Sequence, residues 1–186
     1  MVIDAQRGFF EHGSMNDEER EQAAATLRRA GWLAGIAALL DIPAVVVEEG
    51  PDRNGGTDAG LLERLPPGTP VLTKTTFSLG ARPEAVEAIR ATQCGTAVLV
   101  GFETDTCVAQ SAIDLHDLGY RVVVPEDTTY STGPVEHRRG LARMSGAGVE
   151  LHHCKGLTFE WLHSVEDAVR TLRAAKARFG PPPLRL

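Results

Sequence analysis

The sequence has few cysteines and no long apolar run. Its three cysteines, Cys94, Cys107 and Cys154, are odd in number and form no CxxC pair, so we expect no disulfide framework. No apolar stretch reaches the roughly 18 residues that a membrane span needs. The residues before Asp4 also lack the long apolar region of a signal peptide. We therefore expect a cytoplasmic protein without a membrane partner.

A concentrated basic patch is missing as well. The net charge is −6, and the 19 lysine and arginine residues are scattered along the chain. This distribution argues against a nucleic-acid partner. A length of 186 residues suits one well-buried core, so we expect a single domain over residues 1–186 with a proline-rich tail from about Gly180.

Strand-like apolar runs alternate with helix-like stretches along most of the chain. The runs cover residues 2–3, 44–47, 71–73, 96–100, 121–124 and 149–152. Between them, helices are predicted to begin at Asn16 or Asp17, at Pro83, near Asp105, at Pro134 and at Ser164. Such alternation predicts an α/β fold, a three-layer α/β/α sandwich around a Rossmann-like, mostly parallel sheet.

Ligands of such sheets bind at the carboxyl ends of the strands, near the switch in strand order. Cys107 follows the run of residues 96–100 through a Gly-Phe-Glu-Thr-Asp-Thr turn and lies at a helix start. Free N–H groups and the helix dipole at that position stabilise a thiolate and lower the pKa of a cysteine. The alternative is a buried cysteine that acts as a small apolar residue.

Asp4 and Lys74 also follow predicted strands directly, so both side chains project toward the edge that holds Cys107. A lysine at a buried strand end needs an acidic partner. In a catalytic set, Asp4 would accept and return a proton while Lys74 stabilises the thiolate. The alternative is a structural ion pair, which would leave the cysteine at the helix start unexplained.

Three segments together resemble the isochorismatase-like cysteine hydrolases. They are Val-Ile-Asp-Ala-Gln-Arg-Gly-Phe-Phe (2–10), Thr-Lys-Thr-Thr-Phe-Ser (73–78) and Gly-Phe-Glu-Thr-Asp-Thr-Cys-Val (101–108). Residues 112–127 also fit, so the resemblance covers nearly the whole chain in the expected order.

This resemblance implies an Asp4–Lys74–Cys107 triad on a six-stranded, mostly parallel sheet. It also implies a cis peptide bond between Phe102 and Glu103, and an oxyanion hole formed by the backbone N–H groups of Glu103 and Cys107. The implied reaction passes through a Cys107 thioester. Members of the family often form dimers or tetramers, so a homodimer or homotetramer is expected.

The sequence departs from the nicotinamidases of this family, which carry a histidine-containing metal site after the second strand. Residues 47–52 contain no histidine, and none occurs between His12 and His116. We therefore expect no metal and no cofactor. On a strand, His152 and Cys154 would share a face while His153 points away, which leaves zinc fewer ligands than it takes.

The substrate pocket is predicted to include Phe9, Phe77, Phe102 and Glu48, although the phenylalanines could equally be core residues. Glu48 either accepts a hydrogen bond from the substrate or pairs with Arg7. Trp161 either covers the pocket or builds a subunit contact.

The hypothesis favoured by these residues is a metal-independent cysteine amidohydrolase. Its small-molecule substrate would be an amide, a ureido compound or a lactam, for example a γ-lactam. One alternative is a nitrilase-like enzyme, but such proteins are longer and have another fold. Two others are a non-catalytic binding or scaffold protein on the same fold and an isochorismatase-type ether hydrolase. The last reaction does without the cysteine nucleophile, so Cys107 favours amide-type hydrolysis.

Overall fold

The structure is a computed structural model that describes residues 1–11 and 15–186. Among these residues every strand pair is parallel, and helices cover the sheet on both sides. The predicted α/β fold with a mostly parallel sheet is therefore confirmed. The strands are β1 (Val2–Ile3), β2 (Val46–Glu49), β3 (Val71–Lys74), β4 (Thr96–Val98), β5 (Val100–Phe102), β6 (Arg121–Pro125), β7 (Thr129–Tyr130) and β8 (Glu150–His152).

The helices pack between and beside these strands. They are α1 (Gly8–Glu11), α2 (Asp17–Leu39), α3 (Pro51–Asn54), α4 (Ala59–Leu62), α5 (Pro83–Ala91), α6 (Ala109–Asp117), α7 (Pro134–Gly146), α8 (Cys154–Leu162) and α9 (Val165–Phe179). Short 3₁₀ turns cover Leu79–Ala81 and Glu126–Thr128. No helix of the described ranges combines the length and the apolar character needed to cross a membrane.

The strands differ in detail from the six-stranded sheet that was predicted. Five strands join in the order β3-β2-β1-β5-β7, and three join in the order β4-β6-β8. Only Leu99 separates β4 from β5, and its N–H donates to Val123 O at 3.0 Å. The stretch of residues 96–102 thus changes partners at Leu99 and contributes a strand to each sheet.

Close approach of β5 to β1 explains the glycine at position 101. Gly101 has φ +126°, and a Cβ built there would overlap the carbonyl oxygen of Ile3. Glycine alone adopts this conformation without strain. The β1–β5 pairing therefore depends on a residue without a side chain directly before Phe102 and Glu103.

Alternating side chains of the strands build a core on each face of the sheet. Val2 and Val46 face α2, where they pack with Leu33, while Ile3 and Val47 face α5 and α6. A strand that is buried on both faces is apolar at successive positions, as these strands are. Asn16 begins α2 with a capping box, because its side chain accepts the Glu19 N–H at 3.0 Å and the Glu19 carboxylate accepts the Asn16 N–H at 2.8 Å.

Candidate active site

The strand order places the candidate site at the switch point of the sheet. From β1 the sheet continues to β2 and β3 on one side and to β5 and β7 on the other. Asp4 directly follows β1, Lys74 ends β3, and Cys107 lies in the turn after β5. The three predicted catalytic residues therefore approach one another at the carboxyl edge, where parallel sheets bind ligands.

Lys74 connects the other two side chains. Its Nζ lies 2.6 Å from Asp4 Oδ2 and 3.4 Å from Cys107 Sγ, and it donates to Thr76 O at 3.1 Å. Asp4, Lys74 and Cys107 are only 0%, 1% and 3% exposed. Because all three are shielded from water, the interactions among their charges are stronger than at the surface.

Burial also decides where the protons reside. Desolvation raises the pKa of Asp4 to about 6, although the neighbouring Lys74 opposes the shift. Desolvation and the Asp4 carboxylate raise the pKa of Cys107 to about 12, and Lys74 offsets only part of this. The expected lowering of the Cys107 pKa at a helix start is therefore wrong, because burial and the adjacent carboxylate outweigh the cation. At neutral pH the site contains a carboxylate, an ammonium and a thiol.

The turn that carries Cys107 is wider than an α-helix. Residues Thr104–Val108 form a π-helical turn in which the Val108 N–H donates to Glu103 O, five residues back, at 3.0 Å. The helix predicted from Asp105 thus begins with this turn and continues as α6. The peptide bond between Phe102 and Glu103 is cis. Single π turns of this kind occur frequently at functional sites.

Contacts from α7 and from Ser131, the residue after β7, fix this turn from outside. Thr104 Oγ1 lies 2.8 Å from His137 Nδ1, and Ser131 Oγ donates to Asp105 Oδ1 at 2.6 Å. A Cβ on Gly140 would lie 2.6 Å from Asp105 Cα, so α7 approaches the turn at a position that requires glycine. The backbone beside Cys107 is therefore held by neighbouring elements.

The loop after Lys74 is attached to the helix that follows Cys107. Ser78 Oγ donates to Asp114 Oδ2 at 2.5 Å, and Ser111 Oγ accepts the Leu79 N–H at 3.0 Å. This arrangement links the Lys74 loop to α6. Sequence reasoning missed these residues. The sequence did contain a signal for them, since Ser111 and Asp114 are polar residues three positions apart on an otherwise apolar face of α6.

Glu48 lies in a second set of contacts that the sequence did not reveal. Its Oε1 accepts both the N–H and the hydroxyl of Thr57 at 2.7 Å. The buried Gln6 side chain donates to Glu49 O and Gly55 O and accepts the Glu49 N–H. Residues 49–57 are thereby bound to the segment that follows Asp4.

Arg7 does not pair with Glu48. Its Nε lies 2.8 Å from Asp58 Oδ2, and its Nη1 lies 3.4 Å from Glu11 Oε1. Of the two roles considered for Glu48, the pairing with Arg7 is therefore wrong, because Asp58 already neutralises that cation and the Glu48 carboxylate is bonded to the 49–57 loop.

The predicted pocket phenylalanines are placed in three different environments. Phe9 is half-buried, and Phe77 is 59% exposed. Phe102 is 1% exposed and packs on Phe10 with ring centroids 5.7 Å apart. Phe102 is therefore a core residue, because β5 directs its side chain into the layer beneath α2.

The cluster around His152 differs from the predicted strand geometry. β8 ends at His152, His153 caps α8, and Cys154 is the first residue of that helix. Within residues 1–11 and 15–186 no group of three or more histidine, cysteine or acidic side chains is arranged to hold a metal ion. Trp161 of α8 packs against the core at the amino edge of the sheet, on the side away from Cys107.

Comparisons with known proteins agree with this fold. Residues 1–153 match the family model described as the isochorismatase domain. The rat isochorismatase domain-containing protein 2 is 32% identical over 139 residues, which cover 75% of this chain and 63% of that protein. The chain thus spans less than two thirds of the length of this relative.

Two solved structures share the architecture. The MAR1 ribonuclease of Caenorhabditis elegans aligns with a TM-score of 0.83 and 23% identity, over 100% of this chain and 93% of its own. The Escherichia coli YcaC gene product, named as an octameric hydrolase of unknown specificity, aligns with a TM-score of 0.82 and 19% identity, over 95% of this chain and 84% of its own. Likeness at this level of identity establishes the fold.

Proposed function

Because this chain belongs to the isochorismatase family, we propose that it is a metal-independent cysteine hydrolase that opens the C–N bond of a small amide, lactam or ureido compound. The observation that carries the proposal is the Lys74 ammonium, which lies 2.6 Å from Asp4 Oδ2 and 3.4 Å from Cys107 Sγ in a buried site. A nucleophile, a base and a cation within contact of one another are the elements of covalent acyl transfer.

In the first step Cys107 Sγ attacks the carbonyl carbon of the substrate. The Asp4 carboxylate, which is ionised above its pKa of about 6, takes the thiol proton as the C–S bond forms. Electrons of the carbonyl move to its oxygen, and the backbone N–H groups of Glu103 and Cys107 stabilise the resulting oxyanion. The Lys74 ammonium stabilises the negative charge while it is shared between sulfur and carboxylate.

In the second step the tetrahedral intermediate breaks down. Asp4 returns its proton to the substrate nitrogen, the C–N bond breaks, and ammonia or an amine leaves a thioester on Cys107. Water then attacks the thioester carbonyl while Asp4 accepts a proton. The C–S bond breaks, the acid product is released, and the proton returns to Cys107 Sγ. A cyclic amide would follow the same steps and release an open-chain amino acid.

Charge in the site favours a neutral substrate. The Asp4 carboxylate and the Lys74 ammonium neutralise each other at 2.6 Å, and Cys107 holds its proton at neutral pH. An ionic substrate would have to lose its hydration without an opposite charge to meet it, which is costly. We further propose self-association, since the Escherichia coli YcaC protein is named as an octamer.

The decisive experiment measures the release of ammonia or amino acid from linear amides, carbamoyl compounds and lactams. Cys107→Ala should abolish turnover, whereas Cys94→Ser, which changes an exposed thiol, should retain it. With a good substrate, acid quenching should trap an acyl group on Cys107 that mass spectrometry detects. EDTA should leave the rate unchanged.

Three results would overturn the proposal. They are undiminished turnover by a folded Cys107→Ala variant, an acyl adduct on Cys94 instead of Cys107, and a strict requirement for added metal. Failure of the wild-type protein to hydrolyse any of these compounds would favour a binding protein on the same fold.

A further inference from the structure

The π-helical turn of Thr104–Val108 contains two parts of the proposed reaction. Cys107 supplies the nucleophile, and the N–H groups of Glu103 and Cys107 are the proposed oxyanion donors. Glu103 O accepts the N–H groups on either side of Cys107, from Thr106 at 3.2 Å and from Val108 at 3.0 Å. A small shift at the start of this turn would therefore move the nucleophile and both donors relative to the substrate carbonyl.

The first residue of the turn is bonded to α7. Thr104 is 0% exposed, and its Oγ1 lies 2.8 Å from Nδ1 of the half-buried His137. Because a π turn is a rare backbone geometry, we expect its stability to depend on such outside contacts. Without the imidazole, the buried hydroxyl would lose this partner, which is costly in the interior.

His137 is itself held in place. Its ring packs on that of Tyr130, with centroids 5.4 Å apart and planes inclined by 45°. Burial lowers the pKa of His137, and the nearby Arg138 acts in the same direction, so the ring is neutral at neutral pH. A hydroxyl both donates and accepts, so the bond to Thr104 forms with either tautomer of the neutral ring.

The contact at the next residue of the turn is more easily replaced. Ser131 Oγ donates to Asp105 Oδ1 at 2.6 Å, but Asp105 is only half-buried, so water can take the place of that bond. Bulk water does not reach the fully buried Thr104 hydroxyl. The bond between Thr104 and His137 is therefore the polar contact on which the start of the turn depends most.

We propose that His137 is a positioning residue of the hydrolytic reaction. Through Thr104 it holds the turn so that Cys107 Sγ and the two N–H donors face one substrate carbonyl. Its hydrogen bond is to Thr104 and not to the reacting groups, so it acts through the turn. This role rests on the proposed function, because it assumes that Cys107 is the nucleophile.

The first test measures the turnover of an amide, carbamoyl or lactam substrate. His137→Phe keeps an aromatic ring beside Tyr130 but removes the hydrogen bond. It should lower kcat about tenfold or more and change KM less than about twofold, because a small misplacement of reacting groups slows the chemical step. His137→Asn places an amide near the position of Nδ1 and should recover most of kcat. Arg139→Gln, at an exposed position of the same helix, should leave both constants unchanged.

Thr104→Val tests the same bond from its other partner. The half-buried His137 can then bond to water, so this variant is expected to fold and to show the same fall in kcat. Thr104→Ser, which keeps the hydroxyl, should retain most of kcat. The double variant Thr104→Val/His137→Phe should lose no more than either single variant, because all three lack one and the same bond.

Hydrogen exchange provides a readout that needs no substrate. In Thr104→Val and His137→Phe, exchange at the Thr106 and Val108 amides should be faster at least about tenfold, because the turn opens more readily. This increase should exceed any change at the amide of Val46 in β2, which reports opening of the whole fold.

Three results would overturn the proposal. They are wild-type kcat and exchange rates in His137→Phe, an equal loss of kcat in His137→Phe and His137→Asn, and an equal rise in exchange at Val46 and in the turn. The last result would assign His137 a purely structural role. Absence of turnover in the wild type would instead refute the hydrolase proposal, so the two failures are distinguishable.

Discussion

Lys74 and Asp4 form an ion pair in the interior, and this makes their removal informative even before a substrate is known. Their charged atoms lie 2.6 Å apart, with side chains 1% and 0% exposed. Lys74→Met removes the cation and leaves a buried carboxylate without a partner. At pH 8 we expect the free energy of unfolding to fall by about 3–5 kcal/mol, the usual result of breaking a buried pair from one side. Asp4→Asn should cost a similar amount because it isolates the ammonium.

The double variant distinguishes an ion pair from two independent buried residues. Asp4→Asn/Lys74→Met removes both charges, so we expect it to lie within about 2 kcal/mol of the wild type, which gives a large positive coupling energy. Urea unfolding followed by the fluorescence of the two tryptophans, Trp32 and Trp161, measures each free energy. If the losses of the two single variants simply add in the double variant, the ion-pair reasoning is refuted.

The pH dependence provides a second check on the same variants. Burial raises the pKa of Asp4 to about 6, and Lys74 lowers it, so the pKa rises further when Lys74 is removed. At pH 5 Asp4 is then protonated, and the cost of Lys74→Met should be clearly smaller than at pH 8. As a control, Arg28→Gln breaks a pair of the same 2.6 Å length between two largely exposed side chains, Arg28 and Glu21. It should change stability by less than about 1 kcal/mol at either pH.

Further expectations follow from the same structure. The kcat/KM for any substrate should fall as pH drops through about 6, because protonated Asp4 cannot accept the thiol proton; a flat profile between pH 5 and 8 would contradict this. Iodoacetamide should modify exposed Cys94 faster than Cys107, which is buried and has a pKa of about 12; preferential labelling of Cys107 in mass spectra would show a thiolate in the resting site. Gly101→Ala should lower the free energy of unfolding by more than about 2 kcal/mol in urea unfolding, because residue 101 has φ +126° and an alanine Cβ there would overlap Ile3 O. An unchanged unfolding midpoint would contradict the close approach of β1 and β5. Asp114→Ala should lower kcat more than it raises KM, because it frees the Lys74 loop from α6, and Asp114→Glu should restore part of kcat. Loss of stability without a change in kcat would assign Asp114 a purely structural role.

The meeting of Asp4, Lys74 and Cys107 could be predicted because it depends only on strand ends. Asp4 directly follows an apolar run, Lys74 ends a strand, and Cys107 lies in the turn after another strand. Parallel strands bring their carboxyl ends to one edge. The contacts of Glu48 could not be predicted in this way. They depend on how residues 49–57 fold back onto Gln6, and a loop rich in glycine, proline and asparagine permits many such paths.

Exposure of the phenylalanines also lay beyond the sequence. Phe77 lies three residues after the end of β3, and Phe102 is the last residue of β5. Both are aromatic, as residues of pocket walls often are. The difference arises from tertiary packing, since α2 and Phe10 cover Phe102 while no described element covers Phe77 to the same extent. Apolar character predicts a preference for burial, but only the packed fold determines which side chain is covered.

The protonation state of Cys107 shows why the position of a residue in the chain does not by itself determine its chemistry. A helix start favours the thiolate, yet the same fold that places Cys107 there also removes it from water and sets it beside the Asp4 carboxylate. The thiol therefore holds its proton more tightly than Asp4 would, and transfer before attack is uphill. In the proposed mechanism, proton transfer would then accompany formation of the C–S bond, when the negative charge is already moving to the substrate oxygen. The proposed mechanism therefore needs Asp4 as a base, because Lys74 offsets only part of the rise in the pKa of Cys107.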